Sequence, residues 1–191
     1  MEPAPESFVD LYWMPVGAGT RFQRLSLLVY EGALALWSRR QRAALIHAGL
    51  KVCVGGRLST IESAPAEAGP KARGEVTGPV GARWAGRLRL FRYQVYSRGN
   101  ETFPDEQWAV GAPSRLTTDP EVASRILCLV REVPAPTLGR RRPGHSEMWT
   151  SDSTVSWLLV RAGVDAGLIA VPPGYRAPGW RSGMEEAASP S

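Results

Sequence analysis

Cysteine and histidine are scarce in this sequence, with two of each in 191 residues. Two cysteines, Cys53 and Cys128, are too few for a disulfide framework or a zinc site. Both lie in apolar segments, which predicts reduced, buried thiols and, through them, a cytoplasmic setting. A long hydrophobic run is missing as well. The most apolar stretch, Leu25 to Trp37, is 13 residues with Glu31 inside it, well short of the roughly 20 that a membrane span needs. The opening "MEPAPESF" has no basic or apolar region of the kind that makes a signal peptide. Lysine is nearly absent: arginine supplies 21 of the 23 basic residues behind the net charge of +5. The arginines are scattered, with Arg140, Arg141 and Arg142 the one dense run. A nucleic-acid partner, which calls for basic residues gathered on a face, is therefore not expected. No Walker loop, dinucleotide fingerprint, zinc pattern or nucleophile elbow is present, so neither cofactor nor metal is expected.

What is present has the periodicities of one α+β domain. Residues 1–20, with Pro3, Pro5, Pro15, Gly17 and Gly19, read as an irregular lead-in. From Thr20 the stripe Phe22, Leu25, Leu28, Val29 and Leu36 predicts a helix. At "AALIHAGLKVCVGGRLSTIE" the period becomes two, and Gly55-Gly56 marks a hairpin turn. Closing that hairpin sets Val54 opposite Arg57, Val52 opposite Ser59 and Leu50 opposite Ile61, giving an aliphatic face. The other face is mixed and carries His47 and Glu62 as diagonal neighbours, about 7–8 Å apart at the backbone and within side-chain reach.

"GRLRLFRYQVY", Gly86 to Tyr96, reads as a further strand whose alternation slips at Leu90 and Phe91, the mark of a bulge. "SRGNETFPDE" reads as a turn or exposed loop. A helix follows with Asp119 as cap, Pro120 at its first position and Pro134 as a stop. "SDSTVSWLLVRAG" predicts a second helix, ended by Gly163. "VPPGYRAPGW" is an ordered Pro/Gly/aromatic loop, and the domain runs over 21–181 with 182–191 as a disordered tail.

His47 and Glu62 on the hairpin, and Thr150, Ser151, Asp152 and Ser153 at the start of the late helix, form a constellation with chemical potential. In this order it resembles the NlpC/P60 superfamily of papain-like proteins, in the circularly permuted branch that includes lecithin retinol acyltransferase-like proteins. "HAGLKVCV" resembles that branch's strand motif, and "TSDSTVSWLL" stands where its Asn-Cys helix motif stands. "MWTSDSTVSWLL" with "PPGYRAPGW" also looks like actinobacterial proteins related to the superfamily. The resemblance spans some 30 residues and implies a papain-like fold and acyl transfer at an amide or ester. Ser151 replaces the family's cysteine and Thr150 its asparagine. A serine hydroxyl is not activated as a thiolate is, and needs an aimed base and an oxyanion hole.

On this reading His47 is the base, Glu62 orients it and Ser151 is the nucleophile, with Ser153, Trp149, Tyr175, Arg176 and Trp180 lining the site for a small-molecule, lipid or peptide substrate. The same residues have plainer uses: Glu62 as a partner of Lys51, the serines as helix caps, the tryptophans as packing; His145 reads as a solvated loop residue, with a second site histidine as its alternative. The fold would then be a degenerate relative or a non-catalytic binding module.

Overall fold

The computed structural model describes residues 6–16, 44–66 and 75–189. The helix expected from Thr20 lies outside them. The first strand, β1 (Phe8–Pro15), falls inside the stretch read as an irregular lead-in. Its Val9, Leu11 and Met14 are wholly buried. Burying such a side chain is worth about 1.5–3 kcal/mol, enough to fix an eight-residue segment among proline and glycine neighbours.

β2 (Ala44–Val54) and β3 (Arg57–Pro65) form the expected hairpin in the expected register, from Val54↔Arg57 to Leu50↔Ile61. Gly55 and Gly56 both have positive φ, the backbone a two-residue turn demands and glycine adopts without strain. β4 (Val76–Pro79), β5 (Arg92–Gly99) and β6 (Ser114–Thr117) complete an antiparallel sheet of order β4-β5-β3-β2-β1-β6. A two-residue strand, β7 (Tyr175–Arg176), runs parallel to the start of β2 at Ala44 and Leu45. β5 starts later than expected. The slip at Leu90 and Phe91 is no bulge but the end of two 3₁₀ turns, Trp84–Arg87 and Arg89–Phe91, that precede the strand.

Three helices lie among the described residues. α1 (Pro120–Leu129) begins as its sequence predicts, with the Asp119 carboxylate accepting the Glu121 N–H at 2.8 Å. It buries Ala123, Ile126 and Leu129. That phase turns Cys128 to solvent, so one of the two thiols expected to be buried is exposed. α2 (Ser151–Ala162) ends at Gly163 in the left-handed conformation. It is buried almost all round, because it lies between the sheet and α3 (Trp180–Ala188). α3 takes up most of the segment read as a disordered tail. Gly183 is buried against α2 and Ser182 is buried beside His145, and Trp180 packs on Trp13 of β1 with ring centroids 5.1 Å apart. One hydrophobic core takes in Val9 of β1 and Ala187 of α3, so β1 and α3 belong to the same domain. No helix among the described residues is long and apolar enough to cross a membrane.

Candidate functional site

The aliphatic face of β2 is core, with Ile46, Ala48, Leu50 and Val52 fully buried. The other face, mixed in composition, is covered too. Residues 100–110, which take in most of the stretch 97–106 read as a turn or exposed loop, fold back over it. Gly49 makes this possible: a Cβ there would stand 2.7 Å from the Phe103 ring and 2.9 Å from the Met14 methyl. Glu106 clamps the segment down. Its Oε1 accepts from Lys51 Nζ at 2.6 Å, and its Oε2 accepts the Phe103 N–H at 3.2 Å. The Lys51 ammonium lies 4.9 Å from the Tyr12 ring centroid, adding a cation–π contact to a nearly buried charge.

The clamp sets Asp105 against His47, with Nε2 and Oδ2 2.7 Å apart. A carboxylate can only accept, so Nε2 carries the proton and the lone pair of the neutral ring sits on Nδ1. Burial alone would depress the His47 pKa. The hydrogen bond to Asp105 and the charges of Asp105, Asp152 and Glu62 outweigh it, and the pKa stands above the ordinary 6.5. The orienting carboxylate is therefore Asp105, not Glu62. Glu62 contributes only through its field at His47 and meets Arg98 at 3.4 Å. Lys51, its alternative partner, belongs to Glu106.

The β2–β3 ladder stops at Leu50↔Ile61, while β2 continues along β1 to Ile46 and β3 along β5 to Pro65. At this fork the start of α2 reaches β2, and Asp152 Oδ1 accepts the Ala48 N–H at 2.8 Å. Asp152 is 1% exposed. Burial, only partly offset by the His47 charge and the Ala48 N–H, lifts its carboxyl to about 7. The bond ties the helix start to the strand one residue from Ser151 on one side and one residue from His47 on the other.

The hydroxyls around Asp152 have different duties. Thr150 is the N-cap: its Oγ accepts the Asp152 N–H at 3.2 Å and donates to the Pro178 carbonyl. Ser153 closes the capping box, accepting the Thr150 N–H at 2.9 Å and donating to the Gly179 carbonyl at 2.7 Å. It is wholly buried, and so acts as a cap rather than a binding group. Ser151 is half-buried, and no hydrogen bond joins it to His47 among the described residues. Trp149 and Trp180, expected to line the site, are core residues. Tyr175 and Arg176, half-buried on β7, flank β2 within a few residues of His47.

His145 is not a solvated loop residue. Its Nδ1 lies 2.9 Å from Ser182 Oγ and its Nε2 3.2 Å from Glu186 Oε2. The Arg142 guanidinium meets the same glutamate. This is a serine–histidine–carboxylate line, but Ser182 is wholly buried and cannot meet a substrate. The line straps the segment before α2 onto α3. No group of three histidine, cysteine or acidic side chains among the described residues is placed to hold a metal ion.

The signal for Asp105 was faint. Asp105 and Glu106 stand beside Phe103 and Pro104 in a polar stretch, and only the apolar Phe103 hinted that the stretch is buried. No family model, curated protein or solved structure matches the chain.

Proposed function

We propose that this chain is a papain-like relative of the permuted NlpC/P60 branch that transfers an acyl group from an amide or ester, with Ser151 as nucleophile and His47 as base. The observation that carries this reading is the Asp152–Ala48 hydrogen bond, 2.8 Å long, beside a histidine whose Nε2 is held by Asp105. It brings the helix start to the strand and leaves Nδ1 free to take a proton. His47 Nδ1 removes the Ser151 hydroxyl proton as Oγ attacks the carbonyl carbon. The same proton goes to the leaving amine or alcohol when the tetrahedral adduct collapses. Water or an acceptor nucleophile then releases the acyl group by the reverse transfer. Asp105 is a positioning residue, fixing the tautomer and favouring the imidazolium. The N–H groups of Asp152 and Ser153 are taken by the Thr150 hydroxyl, which leaves the Ser151 N–H as the helix donor for an oxyanion. The free thiols Cys53 and Cys128 suit a reducing compartment such as the cytoplasm.

A fluorophosphonate probe tests this. The parent protein should be labelled, Ser151→Ala and His47→Ala should not, and Asp105→Asn should be labelled about 10²–10⁴-fold more slowly. Labelling retained in Ser151→Ala would refute the assignment. The second reading, a binding module on the same scaffold, draws on the missing Ser151–His47 hydrogen bond. It predicts no labelling of the parent at any pH.

A further inference from the structure

Among the described residues, three of the five large apolar side chains exposed to solvent lie within one eight-residue stretch: Trp84 at 72%, Leu88 at 57% and Phe91 at 41%. The stretch is the pair of 3₁₀ turns joining β4 to β5 at the edge of the sheet. Trp84 opens the first turn, Leu88 is the extended residue between the two turns, and Phe91 closes the second. Arginine fills the gaps, with Arg83 and Arg87 exposed, and from Val76 to Asn100 the chain has no acidic residue. The protrusion is built in, not frayed. Gly86 sits where a Cβ would come within 2.7 Å of Pro79, and Arg92 turns inward so that its Nε donates to the Gly86 carbonyl at 2.6 Å.

The arginine run docks beside it. Leu138 pairs with Val80, the Gly81 N–H donates to the Leu138 carbonyl at 2.9 Å, and Arg140 reaches the Gly81 carbonyl. Arg140 and Arg141 are exposed there, whereas Arg142 is held by Glu186.

We propose that this knuckle, residues 82–91, docks the protein on an anionic bilayer surface, with Trp84, Leu88 and Phe91 entering the interfacial layer and Arg83, Arg87, Arg140 and Arg141 facing lipid phosphates. Exposed apolar side chains set among cations, with no acidic residue between them, match a surface that is apolar below and negative above. A single-stranded nucleic acid would stack on aromatic rings along a groove. Here an aliphatic side chain, Leu88, stands between the two aromatics on a protruding turn. The core of an interface between two copies is depleted in charge, and here arginines punctuate the apolar set. The position fits as well. β3 runs away from the Gly55-Gly56 turn and β5 returns antiparallel to it, so the knuckle lies at the end of the sheet that carries Ala44 to His47. Docking would turn the β2–β3 fork toward the bilayer.

Co-sedimentation of the full chain with vesicles tests this. Binding should be strong on phosphatidylcholine vesicles carrying about 30% phosphatidylglycerol and weak on phosphatidylcholine alone. It should fall as salt rises from about 0.1 M to about 1 M and the screening length shrinks from about 10 Å to about 3 Å. Arg83→Gln with Arg87→Gln should lower the partition coefficient about 25-fold, the loss of two surface cations. Trp84→Ala with Leu88→Ala should lower it at least about tenfold. These side chains are exposed, so both variants should keep the parent's thermal midpoint. His47→Ala should bind vesicles as the parent does, so failure of the acyl-transfer reading and failure of docking are separable. Equal binding to neutral vesicles, no binding to anionic ones, or unchanged binding by both double variants would overturn the proposal. So would variants that leave vesicle binding alone and abolish self-association or binding of single-stranded RNA.

Discussion

Asp152 is the most heavily constrained group at the fork, and replacing it by asparagine isolates the cost of its charge. Asparagine keeps the side-chain oxygen that accepts the Ala48 N–H and removes the ionisable proton. In the native state the carboxyl titrates at about 7 instead of the ordinary 3.8. Its folded pKa is raised, so between those values the folded protein holds a proton that the unfolded chain has released. Stability from this group is therefore full at low pH and is lost as pH rises from about 4 through about 7. At about 1.4 kcal/mol per pH unit, the loss amounts to about 4 kcal/mol. His47, also raised, adds a slope of the same sign, beginning near its ordinary 6.5, so the two titrate as a coupled pair. Urea unfolding at about pH 5 and about pH 8 should show the parent losing several kcal/mol over that interval, and Asp152→Asn losing much less. The variant should be the more stable protein at the higher pH. Asp152→Ala should instead be less stable than Asp152→Asn at both, by about 1–3 kcal/mol, because it strands the Ala48 N–H. If Asp152→Asn tracked the parent in parallel across the interval, Asp152 would carry no buried charge and the electrostatic account of the fork would be wrong. If the site is catalytic, the same substitution removes a charge that favours the His47 cation, so the rise of kcat/KM with pH should move to lower pH.

Two further outcomes test the parts of the fold that hold the site. Gly183→Ala would drive a methyl group into the Ser153 carbonyl and the Ser156 hydroxyl across the α2–α3 contact, and should cost about 1–3 kcal/mol or more in chemical denaturation. Native protein treated with a maleimide should be modified at Cys128 and spared at Cys53, which mass spectrometry of the digest would show; the reverse pattern would mean that α1 packs in another phase.

The hairpin was legible because its information is local. A glycine pair fixes the turn, the turn fixes the register, and the register fixes which residues share a face. The caps of α1 and α2 were legible for the same reason, since Asp119, Pro120 and Gly163 act within a few residues of themselves. β1 was not, although its apolar residues alternate. Prolines precede it and glycines follow it, and its burial comes from β2, which follows some thirty positions later in the chain. α3 was missed because a segment of serine, glycine, methionine and glutamate has little apolar drive of its own. What orders it is the close seat that Gly183 finds on α2 and the contact of Ser182 with His145, properties of segments brought together by the fold.

The site shows the same division, with a chemical consequence. His47 was placed on the mixed face of β2 correctly, but a mixed face does not say what covers it. Its diagonal neighbour Glu62 was the natural partner while the face was open. Covering it with residues 100–110 changes the competition. Glu106 takes Lys51, and Asp105 arrives beside His47 at 2.7 Å from 58 positions away. The carboxylate that sets the histidine's tautomer thus comes from a loop held on the sheet by one glycine, one phenylalanine ring and one ion pair. Those supports also decide whether Asp105 reaches Nε2, so on the acyl-transfer reading Gly49 and Glu106 would act on His47 without touching a substrate.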